Sequence, residues 1–130
     1  MPDLRLTIRW LAVAAGLGAL VTLAAANPVP EHAVIVNFSY GSTDLSRLFE
    51  LEGRLEEAIA AAEAGEYDGN EIAADGSDGT LYMYGPDGDR LFQAVEPILK
   101  ATPFMNGAKV TVRYGPPADG VPEKEVTIAP

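Results

Sequence analysis

The sequence predicts an α+β fold: a ferredoxin-like sandwich, in which an antiparallel sheet carries two helices on one face, with an additional C-terminal strand. Two observations predict it. Segments with strand-like alternation and segments with helical spacing follow one another in the order strand, helix, strand, strand, helix, strand, strand. The first six of these elements form the split βαβ repeat of the ferredoxin-like fold. Residues 33–130 are expected to form this single domain, because they are long enough for one modest core.

The strand predictions rest on alternation of apolar and polar residues. The first strand is AVIVNFSY, which starts at Ala33. Two short strands are expected around 70–73 and 80–84, and the turn rich in aspartate and glycine between them favours a hairpin. The last two strands are AKVTVRYG, with its valines on one side, and EKEVTIAP, with Val126 and Ile128 directed inward. They predict an edge hairpin across the proline-rich loop PPADGVP.

The helix predictions rest on apolar residues spaced by three and four positions. One helix is expected within 44–64, after a Ser-Thr-Asp run that offers N-cap side chains and before a stop near Gly65. Gly53 weakens this helix by ~1 kcal/mol relative to alanine, which predicts a break after a short first turn. The second helix is expected within 87–101, where Pro97 should kink it or shorten its last turn.

Residues 1–26 have the features of a secretory signal peptide. Two arginines precede an uncharged run of 17 residues from Trp10 to Ala26, which ends in three alanines. The run is rich in glycine and alanine and shorter than the ~20 apolar residues that a membrane span needs, which favours cleavage over retention as an N-terminal anchor in the inner membrane. We therefore expect an exported protein, periplasmic or extracellular, with residues 27–32 as an extended leader.

Charge and cysteine content exclude several function classes. The sequence has no cysteine, which excludes disulfides, thiol catalysis, cysteine metal sites and lipoprotein attachment. Without residues 1–26 the chain keeps seven basic and eighteen acidic side chains, a formal charge of −11. Such a surface repels phosphate backbones and anionic headgroups, so we expect no nucleic-acid partner and no membrane partner after cleavage. Solubility is the simpler explanation of the acidic charge.

Motifs for catalysis or cofactors are missing or incomplete. The only histidine, His32, lies in the leader, and the sequence contains no G-x-S-x-G, G-x-G-x-x-G or P-loop pattern. The acidic loops at 66–78 and 85–89 could serve calcium binding or a carboxylate-dependent enzyme, for example through Glu71 and Asp87. The first loop fails the EF-hand pattern, and the second is expected to cap a helix. We expect no catalytic residues, metal or cofactor, and keep an enzyme or calcium-binding protein as the alternative.

The open face of the predicted sheet is the leading candidate site. Alternation sends Tyr82, Tyr84, Lys109 and Arg113 to the face that the helices leave uncovered. Tyrosine and arginine are enriched in protein interfaces, and cations on an acidic body favour an acidic partner. The sequence therefore predicts a small non-catalytic binding domain with a protein partner, or a homodimer through its sheet. The alternative is a solvated face on which these cations pair with glutamates of the last strand.

Three short motifs resemble a family of small bacterial α+β proteins without an assigned activity. They are DGxE at 68–71, LYxYGPD at 81–87 with the apolar pair at 91–92, and RYG at 113–115. The likeness extends over most of residues 33–129. The resemblance implies a single α+β domain, names no substrate and carries over no functional residue.

Overall fold

The computed structural model describes the backbone of residues 5–8 and all of residues 31–130. Residues 1–4 and 9–30, which include most of the expected signal peptide and leader, lie outside this range. The elements are β1 (Arg5–Ile8), β2 (His32–Ser39), α1 (Ser46–Ala62), β3 (Glu66–Ala73), β4 (Asp78–Gly85), α2 (Gly88–Ala101), a 3₁₀ turn (Pro103–Met105), β5 (Lys109–Arg113) and β6 (Glu123–Thr127).

All strand pairs in the sheet are antiparallel, and the strand order is β1-β3-β4-β2-β5-β6. The four strands β3-β4-β2-β5, with α1 and α2 as crossovers, have the ferredoxin-like order, which confirms the predicted fold. β6 pairs with β5 as the additional C-terminal strand. β1 adds a strand at the other edge that the sequence did not predict. β1 belongs to the expected signal peptide, whose cleavage stays a prediction.

Strand lengths differ from the predicted ones. β2 begins at His32, inside the expected leader, and both hairpin strands are longer than predicted, since they extend over Glu66–Ala73 and Asp78–Gly85. The added residues complete cross-strand pairs, such as His32 with Gly85 and Glu66 with Tyr84. Ladder hydrogen bonds with a neighbouring strand thus extend the strands beyond the alternating apolar core of each segment.

α1 is one continuous helix, and the break predicted at Gly53 is wrong. Gly53 is exposed, while Leu51 and Leu55 on either side of it are 2% and 0% exposed. Burying two leucines contributes roughly 1.5–3 kcal/mol each, which outweighs the ~1 kcal/mol cost of the glycine. The predicted N-cap in the Ser-Thr-Asp run is wrong: the N-cap residue is Leu45, which makes no side-chain cap, and Asp44 before it accepts from the Ser46 N–H at 3.0 Å.

α1 ends at Ala62, close to the predicted stop near Gly65, and Glu63 is its C-cap. Glu63 has φ 51° and ψ 41°, the left-handed conformation that helix ends adopt. The Glu63 N–H donates to the Ala60 carbonyl, and the Ala64 N–H donates to the Ile59 carbonyl, each at 3.1 Å. These two bonds form a Schellman motif, in which the buried Ala64 follows the left-handed residue. A glutamate thus occupies the position where glycine is the usual residue.

α2 passes through Pro97 and continues to Ala101, the predicted end, so the proline does not shorten its last turn. Its last carbonyls are satisfied by Thr102, whose hydroxyl donates to the Ile98 carbonyl at 2.8 Å and whose N–H donates to the Leu99 carbonyl at 3.2 Å. A side chain therefore closes the helix where an intrahelical partner is no longer available.

The core lies between the two helices and one face of the sheet. Val126 packs against its margin, and Ile128, just past β6, is 2% exposed, so both point inward as predicted. Within residues 5–8 and 31–130, no helix combines the length and apolarity that crossing a bilayer would require. The fully buried large side chains of this core include Leu48, Leu55, Ile59, Leu81, Met83, Leu91, Val95 and Leu99.

Candidate functional site

The sheet face opposite the helices consists of three cross-strand rows, and we call it the open face. Each row crosses the strands in the order β3, β4, β2, β5, β6. The rows are Glu66-Tyr84-Ala33-Arg113-Glu123, Gly69-Tyr82-Ile35-Thr111-Glu125 and Glu71-Thr80-Asn37-Lys109-Thr127.

The four residues predicted for partner binding lie together on the open face. Tyr82 and Tyr84 are half-buried on β4, Lys109 is exposed at the start of β5, and Arg113 is half-buried at its end. β2 separates the two strands, so the tyrosines and the cations are ~10 Å apart at two strand spacings. The structure thus supplies the placement that the sequence predicted, while their role in binding stays a prediction.

Lys109 and Arg113 are the two cations of residues 31–130 that lie on the open face. Neither forms an ion pair with any residue that the structure describes, and Arg113 uses its Nε to donate to the Gly115 carbonyl at 2.8 Å. Arg113 lies directly opposite Glu123 on β6, yet the pair makes no salt bridge. The other five cations lie on the helix side: Arg47 stacks on the Tyr40 and Phe104 rings, Arg90 donates to the Ala62 carbonyl, and Arg54, Lys100 and Lys124 pair with Glu50, Glu96 and Asp89.

Carboxylates flank the cations on both sides of the open face. Glu66 and Glu71 lie on β3, and Glu123 and Glu125 lie on β6. Asp68 is the extra residue of a bulge between the β3 residues that pair with β4. The open face therefore carries both signs of charge, with its cations on β5 between two acidic strands.

A shallow depression of about 500 Å³ lies at the end of the open face where β2 stops. Its walls include Lys109 together with the carboxylates of Glu71 and Asp78. The Thr80 hydroxyl donates to the Asn37 side-chain carbonyl at 2.9 Å on its floor. Polar and apolar groups share the lining about equally, so the depression lacks the predominantly apolar walls that are usual in small-molecule sites.

The turn at 85–89 caps α2, as the sequence predicted. One carboxylate oxygen of Asp87 accepts from the backbone N–H groups of Asp89 and Arg90 at 3.1 and 3.2 Å. The Nδ1 of His32 accepts from the Gly88 N–H at 2.9 Å. The N–H groups of Gly88, Asp89 and Arg90 at the start of the helix are thus all bonded to protein groups. None of these three is left to bind an external anion.

Asp89 is held by two groups from the C-terminal strands. Its Oδ1 accepts from the Tyr114 hydroxyl at 2.6 Å and from the Lys124 Nζ at 3.1 Å. These hydrogen bonds, Tyr114 first, lower the pKa of Asp89, and the same carboxylate raises the pKa of Tyr114 and of Lys124. Sequence reasoning missed this network, although Tyr114 belongs to the RYG motif. Its three charged or polar groups satisfy one another at the surface.

The carboxylates of the acidic loop at 66–78 do not converge on one point. Ser77 lowers the pKa of Asp75, first through its side-chain hydroxyl and then through its backbone N–H, which donates to the Asp75 carboxylate at 2.9 Å. In the part of the chain that the structure describes, no three His, Asp or Glu side chains gather closely enough to hold a metal ion. Glu71 is level with Thr80 on β4, so it lies ~17 Å along the strand from the turn that carries Asp87. The suggested carboxylate pair is not brought together.

A buried polar cluster under α1 was not predicted. Glu52, Tyr67 and Asn70 are 2%, 6% and 0% exposed, and the Asn70 side-chain amide donates to Glu52 Oε1 at 3.0 Å. Burial, and then the nearby Glu52 charge, raise the pKa of Tyr67. The Tyr67 hydroxyl lies close to both polar neighbours but makes no hydrogen bond of good geometry within the described residues. Burying such groups is costly unless they are hydrogen-bonded, which makes this cluster a weak point of the core.

Comparison with known proteins assigns no family: no protein-family model, curated protein or solved structure matches the chain. The fold and the site define the class instead. The protein is a small α+β domain of ferredoxin-like topology in which helices cover one sheet face and mixed charges and tyrosines occupy the other.

Proposed function

We propose that the protein is a small exported, non-catalytic binding domain and that its open face binds a second protein chain, either an acidic partner or another copy. The observation that carries this proposal is that the cations of the open face have no carboxylate partner among the described residues. Lys109 and Arg113 lie on the open face without an ion pair among the described residues, whereas three of the five helix-side cations, Arg54, Lys100 and Lys124, pair with carboxylates.

The chemistry of the neighbouring side chains supports a protein ligand. Tyr82 and Tyr84 offer large side chains that bury apolar area at a low cost in conformational entropy, and tyrosine and arginine dominate binding hot spots. Most side chains in the middle of the face are partly exposed and line no deep cleft, which suits a protein surface better than a small molecule. Export of the domain rests on residues 1–26, and N-terminal sequencing of the protein recovered outside the cytoplasm tests it.

The alternative, a calcium-binding protein or a carboxylate-dependent enzyme, has less support. Asp87 and Asp89 already cap a helix or pair with a cation, and the carboxylates of 66–78 are spread along a strand and a turn. A calcium site filled to 100 times its dissociation constant stabilises a protein by ~2.7 kcal/mol. We expect no such rise in melting temperature with calcium; a rise of that size would favour the alternative.

The test of the proposal replaces the two tyrosines and the arginine of the open face. The variant Tyr82→Ser/Tyr84→Ser/Arg113→Ser is compared with Phe49→Ser/Arg54→Ser, a control that removes an exposed aromatic ring and an arginine from the helix side. Both are checked for folding by circular dichroism. Binding is measured as mass in solution by light scattering and as capture of partners by the tagged protein.

We expect the open-face variant to lose its self-association or its captured partner, and the helix-side control to keep both. If the folded open-face variant behaves as the wild type in both measurements, the open face is not the binding surface and the proposal is wrong.

A further inference from the structure

We infer that the occupant of the open face is a second copy of the chain, packed face to face about a two-fold axis that runs parallel to the strands. This inference rests on the proposed function and makes it specific. It follows from the order of residue types along the three rows of the open face, which becomes complementary to itself under that rotation.

The strand order places the axis. The four strands β3-β4-β2-β5 are centred on the line between β4 and β2. A two-fold axis above this line sets β3 of one copy over β5 of the other and β4 over β2. Strands of two packed sheets then run within about 30° of each other, with the sheets ~10 Å apart, which is the aligned packing of β-sandwiches.

The charges match under this rotation. Glu66 on β3 and Arg113 on β5 lie in the first row at equal distances from the axis, so each Glu66 faces the second copy's Arg113. Glu71 and Lys109 occupy the same two strands in the third row, so each Glu71 faces the second copy's Lys109. Because the axis repeats every contact, four ion pairs form, and they use both open-face cations.

The open-face side chains of the two central strands, β4 and β2, complement each other in size. In the second row Tyr82 comes to lie over the second copy's Ile35. In the first row Tyr84 comes to lie over β2 at Ala33, a small residue that its own neighbours already bury completely. A ring is thus set against a short or aliphatic side chain rather than against another ring, which lets the two layers interdigitate. Thr80 and Asn37 face each other in the third row and keep that end polar.

A second copy fits better than an acidic partner. An acidic surface would satisfy Lys109 and Arg113 but would bring its carboxylates up to Glu66 and Glu71 on the same face, and like charges in contact oppose binding. The second copy supplies both signs at matching positions of the first and third rows. The acidic bodies repel each other at long range, but the screening length of ~8 Å at physiological salt confines this repulsion and leaves close pairs effective.

The test reverses charges in matched pairs and measures mass by sedimentation velocity over a range of concentrations. Wild type is expected to form a dimer. Arg113→Glu and Glu66→Arg, made separately, each set two like-charge pairs across the interface and should weaken the dimer at least tenfold. Lys100→Glu, a charge reversal on the exposed side of α2, is the control and should leave the dimer unchanged.

Recovery of the dimer by a compensating charge reversal would identify which residues of the two copies face each other. An equimolar mixture of the Arg113→Glu and Glu66→Arg chains has only opposite charges facing each other and should form a heterodimer; the double variant in one chain should form a homodimer again. Should either single variant fail to fold by circular dichroism, Lys109→Glu and Glu71→Lys provide the same test at the third row.

Three outcomes overturn the inference: a wild type that stays monomeric at all concentrations, single variants that dimerise as well as the wild type, or reversed pairs that do not recover. The proposed function fails separately. If the wild type is monomeric but the serine variant of Tyr82, Tyr84 and Arg113 loses a captured partner, the open face still binds a protein, and that protein is not a second copy.

Discussion

Gly53 and Gly65 predict opposite responses to the same substitution. Gly53 is an exposed residue in the middle of α1, and a Cβ built there meets no atom within 4 Å. Gly65 follows the end of α1 with φ +142°, and a Cβ there would lie 2.0 Å from the Tyr84 carbonyl oxygen. An added methyl group is therefore free at the first position and blocked by backbone at the second.

The magnitudes follow from these surroundings. Glycine is 0.8–1.0 kcal/mol less favourable than alanine inside a helix, so Gly53→Ala should raise the free energy of unfolding by ~1 kcal/mol. For a domain of about 100 residues this raises the melting temperature by roughly 4–8 °C. Gly65→Ala must displace a strand and hold alanine in a disfavoured conformation, which should cost at least ~2 kcal/mol.

Thermal and urea unfolding of the two variants, followed by circular dichroism, measure both effects. Equal urea slopes for wild type and Gly53→Ala would show that stability changed and not the unfolded state. The reasoning is refuted if Gly53→Ala fails to stabilise the protein, because α1 would then not be a regular helix at that position. An unchanged stability of Gly65→Ala would refute the close approach of the α1–β3 connection to β4.

Two further predictions concern the ends of the helices. Glu63→Gly should raise the free energy of unfolding by about 1 kcal/mol in urea titrations, because glycine adopts the left-handed conformation of the Schellman motif without strain; a destabilised variant would contradict that geometry. Hydrogen bonds from Tyr114 and Lys124 lower the pKa of Asp89 in the folded protein, so its contribution to stability is complete above the ordinary pKa of 3.8 and is lost as pH falls through the folded-state pKa. Asp89→Asn should therefore be less stable than the wild type at pH 7 and approach it at low pH, and a difference that does not shrink in acid would count against the network.

The sequence predicted the order of the elements because alternation and helical spacing are local signals. Apolar residues such as Val34, Val36, Leu81 and Met83 are needed on one side of the sheet, and that need is visible without a structure. The same alternation placed Tyr82 on the open face. Fold class and the content of the open face could therefore be derived from local pattern alone.

What the sequence could not predict depends on tertiary contacts. Gly53 is helical because buried leucines on both sides outweigh its intrinsic preference. Glu63 ends α1 because the chain must turn there, and the capping hydrogen bonds hold a left-handed glutamate. His32 becomes a strand residue and a partner of the Gly88 N–H only once β2 lies beside the start of α2. Local composition does not indicate such contacts. Some of them join segments that are far apart in the chain, and the others hold a residue in a conformation that its intrinsic preference disfavours.

The register of the strands decides what the open face can recognise. Alternation assigns Lys109 and Glu71 to the same side of the sheet, but it does not say that they lie in the same row. A slip of one residue in β5 would turn Lys109 and Arg113 toward the core and expose its valines. A slip of two would keep the cations outside but would move each one out of the row of its acidic counterpart, and the two-fold match would be lost. The charge reversals at Arg113 and Glu66 therefore test the pairing of the strands as well as the dimer: recovery of the dimer requires both residues to lie in one row, at equal distances from the line between β4 and β2.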